Sequence, residues 1–344
     1  MGSELKNLVV YHADCADGFA AAFAAWQKFG DNAAYIPARY DRSLAAIDPR
    51  LANPLNLGGI KVYILDFSFK KEEMDFLFQW AGGVVWLDHH KSSFDMYGLN
   101  PDNVCTERDI CNHHFHVTIE LNTSKSGCIL AWRHFWPEKP APVFFRYIDD
   151  RDRWQFKYVE TKAFAANMWS YRPWTFKLWE RFLTTWFRRP LFDEAPTFTA
   201  HWHEFLDEGR AILRSEAAII AQIATRAQPC ALWPAISSSP QTYAIPWQFD
   251  QSLGAYLPVC GLAVNSPVLV SELGHELATK SGTFGLIWYQ NNDKAICALR
   301  SNGDYDVSNI ARAFGGGGHK NAAGFTSDIS QIQMWLSADR KSAV

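Results

Sequence analysis

Short apolar runs that end in acidic or imidazole side chains alternate with helical patterns through the first hundred positions. Leu8 to Tyr11 reads as a strand running into His12, and Ala33 to Ile36 as a second. Lys61 to Leu65 is a third that delivers Asp66, and Val84 to Leu87 a fourth that delivers Asp88, His89 and His90. Between the first two, Gly18 to Phe29 is rich in alanine and phenylalanine and stops at Gly30, as a helix does. This alternation predicts an α/β fold built on a parallel, doubly wound sheet. In such open sheets ligands bind beyond the carboxyl ends of the strands, so these polar residues are expected to meet along one edge although they are far apart in sequence.

Further on, Asn103 to Leu121 alternates as a strand or hairpin, and helices are expected from about Ser126 to Phe135 and from Pro142 to Ile148. A long polar-apolar helix from Phe198 to Arg226 reads as a connector. Strand patterns then return. Ser266-Pro267 is expected to cap and open a helix that Gly282 terminates. Phe284 to Gln290 and Ala295 to Arg300 pair around the turn residues Asn291, Asn292 and Asp293.

At 344 residues, 48% of them apolar, the chain is long enough for more than one buried core. A net charge of -3 lacks the basic footprint of a protein that grips long duplex nucleic acid, so a nucleic-acid partner is expected to be short or single-stranded. The seven cysteines are odd in number and scattered, and no secretory leader or membrane-length apolar run is recognisable. A reduced, cytoplasmic protein with no membrane association is expected. Fifteen tryptophans fit a well-filled core better than they fit base stacking.

Candidate chemistry gathers in a few stretches. His12-Ala-Asp14-Cys15-Ala-Asp17-Gly18 lies between a strand and a helix, where it offers donors to a divalent cation with Gly18 easing the turn, or merely caps the helix with Asp17. Asp66 leaves its strand as either a helix cap or a ligand. In Asp88-His89-His90 one imidazole can coordinate metal while the other protonates a leaving oxygen, with Asp88 orienting a ring. Asp149, Asp150 and Asp152 repel one another unless cations intervene, and a bound metal or Arg151 and Arg153 serves that purpose equally well. Finally, the four glycines Gly315 to Gly318 precede His319 and then Ala322-Ala323-Gly324. Their backbone N–H groups and a following helix are expected to cradle a phosphate that His319 also contacts.

Together these stretches resemble the DHH/DHHA1 phosphoesterase superfamily, most specifically in Leu87-Asp88-His89-His90 and in the pairing of Leu299-Arg300-Ser301 with Gly315 to Gly324. The resemblance implies a DHH catalytic domain over 1–197, a connector helix over 198–228 and a smaller α/β DHHA1 domain over 229–340. It implies two divalent cations, manganese or else magnesium, held by His12, Asp17, a bridging Asp66, His89 and one carboxylate of Asp150 and Asp152. His90 would face the scissile phosphate or leaving group. Arg300, Ser301, Gly316, Gly317, Gly318 and His319 would hold substrate phosphate. The family pattern Asp-x-Asp-Gly is broken, because Cys15 stands where the first aspartate belongs and Asp14 one place earlier. Either can be the ligand, and a thiolate favours softer ions than magnesium.

The implied reaction is hydrolysis by a hydroxide held between the ions, without a covalent intermediate. An oligonucleotide exonuclease acting on short single-stranded RNA or DNA is the first reading. A phosphodiesterase for a cyclic or other small nucleotide and a non-catalytic nucleotide sensor are the alternatives. Retention of nearly all metal-type residues argues against the sensor. Cys105, Cys111, His113, His114 and His116 match no standard zinc spacing, so a hairpin is the better reading. His201-Trp202-His203-Glu204 and His275-Glu276 lack the second histidine of a zinc protease. The tryptophan- and arginine-rich segment from Phe164 to Phe192 reads as an apolar cover ahead of a base-stacking lid.

Overall fold

The protein is described from a computed structural model that covers residues 6–40, 42–111, 116–186, 200–232, 249–250, 255–256, 259–303 and 305–337. It divides into two compact units between Leu213 and Arg214.

In the first unit β1 (Asn7–His12), α1 (Ala16–Phe29), β2 (Ala33–Ala38), the single turns α2 (Leu44–Ile47) and α3 (Pro54–Leu57), β3 (Lys61–Leu65), α4 (Lys71–Trp80), β4 (Gly83–Asp88) and α5 (Lys91–Asp95) follow one another. Then come β5 (Cys105–Thr106), α6 (Glu107–Ile110), β6 (Val117–Leu121), α7 (Gly127–Phe135), α8 (Val143–Asp152), α9 (Thr161–Ser170) and α10 (Phe176–Trp186). The helix α11 (Ala200–Ala224) contains the division between the units.

The strand order is β2-β1-β3-β4-β6-β5, parallel throughout except for the short edge strand β5. Alternate residues serve opposite layers. Val9, Tyr63, Leu65, Val85 and Leu87 face a core completed by α1, α7, α8, α9, α10 and the start of α11. Leu8, Val10, Val62, Ile64, Val84 and Trp86 face a second core completed by α4, α5 and the short turns. Burial on both faces explains why the strands read as unbroken apolar runs. Trp86, Trp132, Trp179 and Trp202 are among the largest fully buried side chains, so much of the tryptophan excess is core.

The order reverses between β1 and β3, and a crevice at such a switch point is where this architecture binds ligands. His12 ends β1, Asp66 follows β3, and Asp88 to His90 close β4. The zinc alternative at Cys105, Cys111 and His116 gains no support among the described residues: β5 and β6 pair antiparallel and His116 Nε2 lies 3.0 Å from the Phe78 carbonyl oxygen. His113 and His114 lie outside the described residues, as do positions 187–192 at the end of the tryptophan-rich segment.

The second unit contains β7 (Gln228–Leu232), the two-residue strands β8 (Phe249–Asp250) and β9 (Ala255–Tyr256), β10 (Val259–Asn265), α12 (Val270–Ser281), β11 (Phe284–Asn291) and β12 (Lys294–Ser301). It continues through α13 (Val307–Ala313), β13 (Gly317–His319), β14 (Ala322–Asp328) and α14 (Ile329–Ser337). Its main sheet runs β13-β14-β12-β11-β10-β7. Gly282 ends α12 in the left-handed conformation at φ 74°, as expected, but the helix starts later than Ser266-Pro267 suggested. Ser266 Oγ instead bonds the backbone N–H and carbonyl of Val268, which makes a turn before the helix.

Candidate metal centre

The loop from β1 to α1 decides between its two candidate donors. Asp14 takes a left-handed backbone at φ 56°, and its side chain is 57% exposed. It accepts from Arg39 Nε at 2.9 Å and Nη2, and from Arg172 Nη2 at 3.3 Å. Cys15 turns the other way. Its Sγ, a ring nitrogen of His12 and a carboxylate oxygen of Asp66 all lie within 4.8 Å of one another. Gly18 is not the loop's turn but lies in the first helical turn, where a Cβ would stand 2.3 Å from the His12 carbonyl oxygen.

Asp66 sits at the middle of the cluster. Its φ of 55° is one that aspartate tolerates better than most residues, and its N–H still bonds the Leu87 carbonyl at 2.8 Å. Oδ2 lies 3.5 Å from His12 Nδ1, and Oδ1 lies 3.1 Å from His89 Nε2. Both oxygens and His12 Nδ1 are buried without a hydrogen bond. A buried carboxylate left in that state is costly unless a cation meets it. Its two oxygens face separate donor groups: His12 with Cys15 on one side, and Asp17, His89 and Asp152 on the other. That donor set fits a pair of divalent ions sharing Asp66.

Asp88 is fully buried and engages both oxygens inside the protein. Oδ1 accepts from the N–H groups of His89 at 2.7 Å and His90 at 3.3 Å and lies 2.7 Å from His90 Nδ1, while Oδ2 accepts from Ser93 Oγ. Asp88 therefore orients His90. With Nδ1 held, proton exchange at this ring runs through Nε2.

Two helix ends complete the centre: the start of α7, which the sequence pattern did not connect to it, and the end of α8, which it did. Asp17 accepts from Ser126 Oγ at 2.7 Å and from the N–H groups of Gly127 at 2.6 Å and Cys128 at 3.0 Å, so the positive end of α7 faces a ligand carboxylate. A Cβ on Gly127 would lie 2.4 Å from Asp66 Cβ. Ser126-Gly127 at a helix start was the available signal. At the end of α8 the acidic run separates into distinct tasks. Asp149 accepts from the Ser126 N–H at 2.8 Å. Asp150 accepts from the N–H groups of Lys157 at 2.8 Å and Tyr158 at 3.2 Å and from Thr161 Oγ1 at 2.5 Å, which holds the following turn and takes it out of the cluster. Asp152 Oδ2 lies 3.4 Å from His89 Nε2.

The electrostatics of the unliganded cluster are those of too many carboxylates. Burial opposes the charge of Asp66, yet His12, His89 and His90 hold its carboxyl well below the usual range. Asp152 is pushed up by burial and by Asp66. Burial alone would lower His89, but Asp66, Asp152 and Asp17 lift it to about 10. Burial and the facing Asp66, Asp152 and Asp17 push the Cys15 thiol up. A protonated imidazole thus supplies charge that metal would otherwise bring.

In the second unit the glycine run is not a loop ahead of a helix. It follows α13, and β13 pairs with β14 through Gly317↔Gly324 and His319↔Ala322. A Cβ at Gly316 would stand 2.1 Å from the Gly324 carbonyl oxygen, and Gly318 has φ 140° with the Ala322 carbonyl 2.5 Å from a would-be Cβ. Close hairpin approach therefore accounts for these glycines, and the expected helix dipole is absent there. Gly315, with φ 77°, and Gly317 face open space. Ser301 is buried, donates to the Tyr305 carbonyl at 2.6 Å and accepts from Asn321 Nδ2 at 2.9 Å, so its hydroxyl serves the domain's own turn. Arg300 bonds the Leu299 carbonyl at 2.9 Å and Ser271 Oγ at 3.0 Å, beside α12, and His319 is half-buried at the end of β13.

Residues 265–338, which include Arg300, the glycine run and His319, match the family model described as the DHHA1 domain. These residues of the chain are thus a DHHA1 domain. The DHHA1 match lies within the second unit, and the parallel-sheet unit precedes it in the chain. Over 334 residues the chain is 28% identical to an uncharacterized protein, R106, of Acanthamoeba polyphaga mimivirus. That match takes in 92% of this chain but only 66% of the relative's length. Among solved structures it is similar to RecJ from Thermus thermophilus in complex with Mn2+, at 13% identity and a TM-score of 0.44 over 96% of this chain and 51% of that one. It is also similar to PggH of Vibrio cholerae, a pGpG-specific phosphodiesterase, at 12% identity and a TM-score of 0.40 over 95% of each chain. No described helix is long and apolar enough to cross a membrane.

Proposed function

We propose that the protein is a metal-dependent phosphodiesterase that hydrolyses short single-stranded oligonucleotides, with its chemistry at the switch point of the first sheet. The observation that carries this reading is Asp66: a buried carboxylate with both oxygens unbonded, set between two donor groups. His12 and Cys15 would hold one cation, Asp17, His89 and Asp152 the other, and Asp66 both. Bound divalent ions would neutralise charge on phosphorus and lower the pKa of water.

The chain's own residues supply the rest. Asp88 fixes the His90 ring so that a proton moves to or from Nε2, toward the oxygen that leaves. Burial, Asp66 and Asp152 push the Asp17 carboxyl up, and the N–H groups at the start of α7 offset part of that push. Arg300 and His319 of the DHHA1 domain are proposed to bind substrate phosphate. Manganese is the preferred ion and magnesium the second. The low net charge supports a short or single-stranded substrate.

The test is incubation of purified protein with manganese or magnesium and labelled short RNA, DNA or cyclic dinucleotides, with product analysis over time. Release of mononucleotides from linear oligomers is the expected result. Cleavage confined to cyclic dinucleotides would replace the substrate assignment. Binding of every substrate without cleavage, with metal bound, would remove the enzyme reading.

A further inference from the structure

We propose that Arg39 and Arg172, gathered by Asp14, form a subsite for a phosphate next to the scissile one, with Trp169 as a stacking surface for the adjoining base. This rests on the reading of the centre as one that works on phosphodiesters, and it deepens that reading by naming how the first unit grips a longer substrate.

The geometry begins with the strand register. His12 of β1 pairs with Ala38 of β2, and the Ala13 N–H bonds the Ala38 carbonyl at 2.8 Å, so Arg39 emerges beside Asp14. From the other side Arg172 reaches the second oxygen of Asp14. Two guanidinium groups thus share one carboxylate and leave a surplus of positive charge. Consecutive Cα atoms are about 3.8 Å apart, so Asp14 can be no more than about 8 Å along the chain from His12. The cationic pair therefore flanks the metal centre itself.

Three features suit a ligand better than a structural bond. Arg39 is 67% exposed and Asp14 57%, and exposed ion pairs stabilise a fold little. The Arg172 guanidinium lies 4.2 Å over the Trp169 ring and 4.9 Å from the Trp174 ring, so it is pinned by aromatic faces. Trp169 itself remains 48% exposed, whereas Trp179 nearby is buried. A planar fork held rigid next to an exposed indole is what recognises a phosphate and a stacked base together. Asp14, withdrawn from the metals, acquires a role as the positioning residue of this pair.

The experiment measures binding without cleavage, by fluorescence anisotropy of a labelled short single-stranded oligonucleotide on the chelated full-length protein. Arg39→Ala and Arg172→Ala should each weaken binding roughly tenfold or more, and each should lower the slope of log affinity against log salt by about 0.7. Arg39→Lys should recover the salt slope but not the full affinity, because the fork is lost. Trp169→Ala should cost about fivefold or more on a normal oligomer and less on an abasic one, which loses only the support that Trp169 gives Arg172; an equal loss on both removes the stacking role. Arg210→Ala, an exposed arginine paired with Asp207, is the control that binds as wild type. Unchanged salt slopes in both arginine variants overturn the subsite, as does a wild type that binds no oligomer. Arginine-dependent binding without hydrolysis after metal is restored removes the phosphodiesterase reading and keeps the subsite. Hydrolysis with no arginine dependence does the reverse.

Discussion

Asp66 concentrates the centre's cost and its use in one side chain. No hydrogen bond satisfies its oxygens, which lie 3.5 Å from His12 and 3.1 Å from His89, so Asp66→Ala removes repulsion from Asp17 and Asp152 and also the nearest carboxylate of His89. The variant should fold, melt somewhat lower than wild type near neutral pH when both are metal-free, because His89 loses that partner, and lose turnover. Metal ions stabilise transition-state charge by several kcal/mol, so the loss should be roughly three orders of magnitude or more. Near wild-type turnover would dismiss the metal mechanism. Cys15 permits a sharper question, since its thiol stands with His12 and Asp66. Calorimetric titration should find metal affinity reduced in Cys15→Ala, unaffected beyond about twofold in Asp14→Ala, and shifted toward harder ions in Cys15→Asp. Equal affinities across the three would eliminate the thiol as a ligand.

At the scale of elements, α7 is the helix that the sequence pattern located without showing its place at the centre. Its N-terminus reaches Asp17 and Asp66 because position 127 has no side chain. Overpacking of a filled site typically costs about 1–3 kcal/mol. Gly127→Ala should therefore lower stability by that order and depress metal affinity as α7 shifts away, whereas Gly58→Ala, in open space, should do neither. Titration and thermal melts on both variants decide it. Strand ends were legible because doubly buried strands are unbroken apolar runs whose first polar residue marks the edge. The loops were not. A single left-handed residue reverses which of Asp14 and Cys15 points inward, and pattern cannot see a φ angle. Asp150 and Asp152 are about 200° apart around a helix, so Asp152 faces His89 and Asp150 the following turn; only the helix's phase separates them. The glycine run misled because glycine permits a tight anion loop and a close hairpin alike.

Over the whole molecule, metal and protons compete for the same charge deficit. With metal removed, His89 is held up to about 10 by Asp66, Asp152 and Asp17, against an ordinary value near 6.5. A raised histidine stabilises fully below its unfolded pKa and loses that contribution as pH rises through the folded one. The chelated protein should accordingly melt at falling temperatures from about pH 7 toward pH 10, and metal addition should flatten the profile. Metal uptake near neutrality should also release protons, measurable as a dependence of binding heat on the buffer's ionisation enthalpy. Proton release absent across buffers would refute the charged imidazole.

The hydrogen bonds that Asp17 receives come from residues 109 to 111 positions later in the chain, and Asp152 lies beyond those. During synthesis, then, a nascent chain that has emerged only as far as His90 presents His12, Cys15, Asp17, Asp66 and His89 without the helix whose N–H groups meet Asp17 or the Asp152 that completes the set. Contacts of such sequence separation form late, since the entropy of loop closure must be overcome before they contribute. On the proposed reading, tight metal capture would wait until α8 docks, and partial chains would hold ions weakly.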